Sequence, residues 1–209
     1  MSAYENLVPL LFKEKVVEVN TESGFVLASG KKSPVYFDHR RLFSSVELRQ
    51  VALEEWSQSL RPKLSPCVKD IVLVGTATAG IAPAYALAER WGTRFCYVRN
   101  QPKTHGTGKL VEGVWTHGDV CLLVDDMITT GTSVLQAANE LKKQGGLVLG
   151  CASFTYHPFS ATKKNFADQG IPLLPFLDSK LIFEKAKELG LISADNFASI
   201  TNWFEQENG

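Results

Sequence analysis

Val120-Cys121-Leu122-Leu123-Val124-Asp125-Asp126-Met127-Ile128-Thr129-Thr130-Gly131-Thr132-Ser133 decides how this chain is read. The unbroken apolar run Val120–Val124 predicts a strand buried on both faces. It delivers two adjacent carboxylates, Asp125 and Asp126. A Thr/Gly-rich loop follows and opens a helix expected over 132–144, stopped by Gly145-Gly146. Such a loop offers hydroxyls and closely spaced backbone N–H groups, and the helix start adds a dipole that favours an anion. Gly131 lets the backbone approach a phosphate or take a positive φ. The carboxylates do not bind that phosphate. They suit vicinal sugar hydroxyls, or a metal held through water. A site that needs both functions is one that holds a ribose 5-phosphate. The plainer alternative, an acidic turn capping a helix, leaves two repelling charges without purpose.

Working outward, strands and helices alternate. Strands are expected over 71–74, 94–98, 147–154 and 171–176, and helices over 80–91, 160–169 and 178–189, the last clear one. Strands joined by helices of this length need crossover connections. The expected fold class is therefore α/β, with a mainly parallel central sheet flanked by helices. Ligands of such sheets bind at the carboxyl ends of the strands, which points to the residues after Val74, Val98, Val124 and Phe154. Towards the N-terminus, Ser2-x-x-Glu5 caps a first helix whose apolar residues run to Val17, with Pro9 inside it. Short strands over 24–28 and 34–38 flank the turn Ser29-Gly30-Lys31-Lys32. Ser44-x-x-Glu47 is expected to cap a second helix reaching Leu60. With no linker or repeat, 1–209 reads as one domain, a small N-terminal hood (about 1–40) packed on an α/β core.

Composition narrows the function. Basic and acidic side chains number 22 each, so nothing suggests a nucleic-acid partner. Cys67, Cys96, Cys121 and Cys151 are far apart and read as small buried hydrophobes rather than disulfides or a zinc site. Neither a leader peptide nor an apolar stretch of the ~20 residues needed to span a bilayer is present, so a cytoplasmic, non-membrane protein is expected. No G-x-x-x-x-G-K-[ST] and no G-x-G-x-x-G after the first strand occur, which excludes a P-loop and a dinucleotide fold.

Two further segments fit a sugar-phosphate site. Val74-Gly75-Thr76-Ala77-Thr78-Ala79-Gly80 repeats the strand–loop–helix logic with small residues, although such turns are common by themselves. The polar stretch 99–113 leaves a strand end carrying Arg99, Lys103, His105 and Lys109 among glycines. It is long for a tight α/β protein and reads as a lid, or else as a solvated basic loop.

The fourteen residues from Val120 resemble the phosphoribosyl pyrophosphate (PRPP) signature of type I phosphoribosyltransferases. The resemblance implies that Asp125 and Asp126 bind the ribose hydroxyls. It gives the 5-phosphate to the loop Met127, Ile128, Thr129, Thr130, Gly131, Thr132 and Ser133. It assigns pyrophosphate to the small-residue loop with Thr76 and Thr78. The pattern R-x-x-x-K-x-H-G-x-G, followed by Glu112-Gly113, is similar to the catalytic loop of the orotate-specific branch. That implies Arg99, Lys103 and His105 on the pyrophosphate, in the neighbouring subunit of a homodimer. The hood segment Ser29-Gly30-Lys31-Lys32-Ser33-Pro34 resembles that branch too, which places Tyr36, Phe37 and Thr129 at the base, although either aromatic also reads as strand core. Three positions depart from the common pattern: Ala28 and Asn100 where lysines are frequent, and Thr155-Tyr156 where an arginine often reads the orotate carboxylate. His157 is expected as a surface-turn residue, and His39 and the segment 201–204 carry no chemistry that the sequence names.

The resemblance spans about Phe25 to Asp195 and implies transfer of the phosphoribosyl group from PRPP to orotate. Mg²⁺ would be held mainly by PRPP rather than by protein ligands. A transferase for another base, and a PRPP-sensing regulator without catalysis, are the alternatives. The second usually carries a DNA-binding module, for which about thirty residues before the hood leave no room.

Overall fold

The computed structural model describes residues 2–27, 30–64, 70–99 and 110–208. Helix α1 (Ala3–Lys13) starts at the expected capping box, in which Ser2 and Glu5 exchange side chain–backbone hydrogen bonds, and it contains Pro9. Val17 belongs not to α1 but to a strand, β1 (Val17–Val19). Three short strands follow: β2 (Phe25–Val26), β3 (Lys32–Ser33) and β4 (Val35–Phe37). The two expected hood strands are thereby divided. β2 pairs with β3 across the turn, while β4 folds back antiparallel on β1 with Val17 opposite Phe37.

A short helix, α2 (His39–Ser44), precedes α3 (Val46–Leu60). The cap of α3 is Ser45, whose side chain accepts from the Leu48 N–H, and not Ser44. Ser44 is still helical in α2, and its hydroxyl donates to the Arg40 carbonyl.

The α/β core then runs β5 (Ile71–Thr76), α4 (Ile81–Trp91), β6 (Arg94–Val98), β7 (Val111–Gly113), β8 (Val120–Ile128), α5 (Thr132–Lys143), β9 (Leu147–Tyr156), α6 (Ser160–Asp168), β10 (Leu173–Asp178), α7 (Ser179–Glu188) and α8 (Ala194–Gln206). The sheet has six strands in the order β10-β9-β8-β5-β6-β7. All neighbours are parallel except the edge strand β7, which lies antiparallel to β6 and takes up the end of the expected 99–113 loop. The expected α/β class with a mainly parallel sheet is thus observed.

Unalternating strands require cover on both faces, and both are covered. Leu73, Leu122, Val124 and Phe154 face one core with Trp56 of α3 and Phe183 of α7. Leu7, Leu11, Val17 and Val35 of the N-terminal elements belong to the same core. Val72, Val74, Cys121 and Leu123 face the other, covered by Val134, Leu135 and Leu141 of α5. Cys96, Cys121 and Cys151 are buried and free, as expected, while Cys67 lies outside the described residues. Burial pushes Cys96 up to about 12 and Cys121 up to about 11, so neither is a thiolate nucleophile at neutral pH. No helix among the described residues is long and apolar enough to cross a membrane.

Candidate functional site

The acidic pair lies inside β8 rather than in a loop after it, because the strand runs on to Ile128. β5 pairs with β8 only as far as Gly75 opposite Val124, whereas β9 continues alongside to Tyr156 opposite Ile128. Residues 125–128 therefore stand free of β5 on one side. Strand alternation sends consecutive side chains to opposite faces. Asp126 approaches His39 on the hood side, its Oδ2 3.5 Å from Nδ1. Asp125 continues the face of Leu123 towards α5 and lies near Thr76 and Cys151. Burial first, and the neighbouring Asp126 charge second, raise the Asp125 carboxyl well above the usual carboxylate range, with the Thr76 hydroxyl opposing them. Asp126 keeps 19% of its side chain exposed, and Asp125 borders the niche after β8.

The loop after β8 has the geometry of an anion cradle. Gly131 is the N-cap of α5 at φ 81°, and no side chain caps the helix, so its first-turn N–H groups face an open niche. Asp125 and Met127 through Val134 line that niche, which holds about 60 Å³. Helix α6 fixes the loop from behind: the Thr162 hydroxyl donates to the Thr129 carbonyl, and Asn165 Nδ2 donates to the Thr130 carbonyl at 2.9 Å. With two carbonyls held from the rear, the loop is left to present donors in front. Thr162 and Asn165 are not legible from the sequence, since each lies over thirty positions from the loop it holds.

The second loop also takes the expected position. A Cβ on Gly80 would lie 2.5 Å from the Val124 carbonyl oxygen and 2.6 Å from Thr76 Oγ1, so only glycine allows the turn to lie against β8. Within it the Ala77–Thr78 peptide is cis. Thr76 is buried, its hydroxyl donating to the Val124 carbonyl at 3.4 Å, whereas Thr78 is exposed. Arg99, just past β6, is half-exposed and 3.5 Å from Glu112. A polar cavity of about 560 Å³ brings Thr76, Arg99 and Ser133 together with Gln136, Glu140 and Lys143. Three predicted residues, from the end of β5, just past β6 and the first turn of α5, thus share one cavity. Lys103, His105 and Asn100 lie outside the described residues, as do Ala28 and Ser29.

On the hood side lies a second cavity, of about 380 Å³ and largely apolar, between β3–β4, the end of β8 and α8. Tyr36 and Phe37 line it, and so do Met127, Thr129 and Thr130 at and after the end of β8. Trp203 of α8 and Glu207, the residue just after that helix, complete it, with Lys31 and Lys32 at the hood edge. Lys31 pairs with Glu207 at 3.0 Å. Among the described residues Lys32 makes no ion pair, which leaves its ammonium available to a ligand. His157 is not a surface residue. It is buried against Phe37, Phe159, Trp203 and Phe204, with Nδ1 2.7 Å from the Ser179 hydroxyl. Burial, and secondarily His39, bring its pKa down to about 3.

Among the described residues no group of three or more His, Cys, Asp or Glu side chains converges as a metal site. The hard oxygen donors at the strand end are Asp125 and Asp126. They face opposite sides of β8 and do not converge on one ion, which suits an ion such as Mg²⁺ that keeps its waters and takes most of its other oxygens from a phosphorylated substrate.

The model of the phosphoribosyl transferase domain family matches residues 58–178. The orotate phosphoribosyltransferase of Lactobacillus johnsonii is 35% identical over 202 residues, covering 96% of this chain and 93% of the relative. The crystal structure of orotate phosphoribosyltransferase from Aeropyrum pernix superposes with a TM-score of 0.75 at 30% identity, over 90% of this chain and 99% of that one. The structure of Leishmania donovani UMP synthase gives a TM-score of 0.81 at 21% identity, a likeness of fold that covers 99% of this chain and 43% of that one.

Proposed function

This chain belongs to the phosphoribosyltransferase family, and we propose that it transfers the 5-phosphoribosyl group of PRPP to orotate, giving orotidine 5′-monophosphate and pyrophosphate for pyrimidine synthesis. One observation carries the reading. A base-sized, aromatic cavity and a phosphate niche share the residues Met127, Thr129 and Thr130 at the end of one strand. A nucleobase and a ribose 5-phosphate held in these two spaces lie next to each other, as bond formation at C1 requires.

In this reading the first turn of α5 and the hydroxyls of Thr130, Thr132 and Ser133 hold the 5-phosphate, while Asp125 and Asp126 take the ribose hydroxyls. Tyr36, Phe37 and Trp203 enclose the flat pyrimidine, and Lys32 faces its carboxylate in place of the missing arginine. Thr76, Thr78 and Arg99, with Lys103 and His105, meet the pyrophosphate. Orotate N1 forms the new bond to C1 as the bond from C1 to the pyrophosphate oxygen breaks; that oxygen takes the electron pair, and the N1 proton is released to the departing pyrophosphate or to solvent. Cations on the departing group act most strongly where its charge develops. Mg²⁺, when bound, neutralises phosphate oxygens and orients the leaving group. We place the 99–113 loop in trans, across a homodimer.

The test is a product assay with PRPP and Mg²⁺ against orotate, uracil, adenine and hypoxanthine in parallel. Turnover of orotate alone is expected. Turnover of another base keeps the PRPP chemistry and overturns the base assignment. PRPP binding without turnover of any base makes the chain a PRPP sensor.

A further inference from the structure

His39 stands between the two halves of the site, and neither the sequence motifs nor the family resemblance gives it a role. It opens α2 directly after β4 and is 2% exposed. Four contacts fix its ring. It stacks on Phe37 at 5.8 Å with 12° between the planes, and meets Phe154 edge-on at 5.9 Å. Nε2 lies 2.8 Å from the hydroxyl of Thr155, itself fully buried in β9. Nδ1 lies 3.5 Å from Asp126 Oδ2.

Chemistry decides which nitrogen carries the proton. A neutral imidazole has one N–H and one bare nitrogen, a carboxylate only accepts, and a threonine hydroxyl does either. One assignment satisfies all three groups: Nδ1–H faces Asp126, and Thr155 donates to Nε2. The reverse tautomer sets a lone pair of Nδ1 against the carboxylate. Burial, which lowers the His39 pKa against the opposing pull of Asp126 and Asp38, keeps the ring in this single-proton state. At 3.5 Å the contact with Asp126 is longer than a formed hydrogen bond. It is the approach of an anchored donor to a partly accessible side chain, and contacts of this kind tighten when the site is occupied.

We propose that His39 is a positioning residue: through the Nδ1–H it fixes the rotamer of Asp126 in which that carboxylate receives the ribose hydroxyls. Its anchors are the buried Thr155 and the base-cavity wall Phe37, so the same ring ties the base side of the site to the ribose side. The inference rests on Asp126 as a ribose ligand of PRPP.

Replacement by Asn or Gln separates the two nitrogens, since an Asn amide N–H falls near Nδ1 and a Gln amide N–H near Nε2. PRPP titration of the whole protein by calorimetry, without orotate, is the first readout. His39→Asn is expected to keep the PRPP affinity within about twofold, and His39→Gln and His39→Ala to weaken it about tenfold or more, the loss of one hydrogen bond to a charged group. In turnover, KM for PRPP should rise in the latter two by a larger factor than KM for orotate. A merely structural role would make Asn and Gln equivalent, and that result overturns the proposal, as does an unchanged affinity in a folded His39→Ala protein. The second readout needs no variant. Long-range ¹H–¹⁵N spectra of the wild-type protein are expected to show the Nδ1–H tautomer for His39, and an Nε2–H tautomer overturns the assignment. Wild-type protein that fails to bind PRPP sinks the proposed function itself, an outcome distinct from wild-type binding that His39 variants leave unmoved.

Discussion

Replacing Gly131 by alanine tests the phosphate loop at its tightest point. Gly131 sits at φ 81°, and a Cβ added there would lie 2.4 Å from Cε2 of Phe166, a buried ring of α6. The left-handed backbone costs a non-glycine residue about 1–2 kcal/mol, and forcing a methyl into a packed site costs about 1–3 kcal/mol more. Gly131→Ala should therefore lose about 2–5 kcal/mol in urea unfolding at fixed protein concentration if the loop keeps its shape. If the loop yields instead, the loss moves to the PRPP affinity. The two contributions separate in the background of Phe166→Ala, which removes the clash but leaves φ. There the same glycine substitution should cost only about 1–2 kcal/mol. Wild-type stability together with wild-type PRPP affinity in Gly131→Ala would refute the reasoning. An equal cost in both backgrounds would refute the steric half alone.

Three further outcomes are expected. Lys103→Ala should lower kcat by about 10²–10³ with circular dichroism unchanged. If the 99–113 loop acts in trans, an equimolar mixture with Asp125→Asn, after subunit exchange, should regain about a quarter of wild-type activity, because half the dimers are hybrids and each hybrid has one intact site. No recovery would put the loop in cis. Acid stability should report His157. The residue is neutral in the folded protein, with a pKa of about 3, and an unfolded histidine protonates near 6.5. Its contribution is complete above about pH 6.5 and lost as pH falls towards 3, at about 1.4 kcal/mol per pH unit. His157→Gln should flatten the fall between pH 6 and 4, with a residue left by buried His39, and an unaltered slope in urea unfolding would put His157 back on the surface.

The parts of this molecule that could be read from sequence are those whose partners lie nearby in the chain. The 125–133 segment carries its acids, hydroxyls, glycine and helix start contiguously, so the cradle was visible before the fold. At the base cavity the sequence points to Tyr36, Phe37 and Thr129 and to the hood segment with Lys31 and Lys32, but not to the walls from the segment after β9 and from α8, which lie far along the chain. Helix α8 lies beyond the last helix expected from the sequence, although Phe197, Ile200, Trp203 and Phe204 recur at helical spacing behind the cap Ser193. His39 was a different case: its hydroxyl partner is 116 positions away, and no local pattern marks a histidine that pairing will bury. The surface reading of His157 failed for the same reason, since the aromatic residues that enclose it belong mainly to β4 and α8.

The early end assigned to β8 shows how a polar residue can mislead. Two acids after an apolar run read as the close of a strand, yet the ladder with β9 goes on through Asp125, Met127 and Ile128. What ends at Val124 is the partnership with β5. A strand that outlasts one neighbour exposes its side chains and backbone along a cleft while the other neighbour still holds it straight. The cleft is then flanked by whatever β5 does next, and β5 turns through a loop that only Gly80 lets lie against Val124. The adjacent acids thus need no common pocket to serve one ligand. One faces the α5 side and one the hood side of the same strand end, and a sugar laid across that end can be held from both.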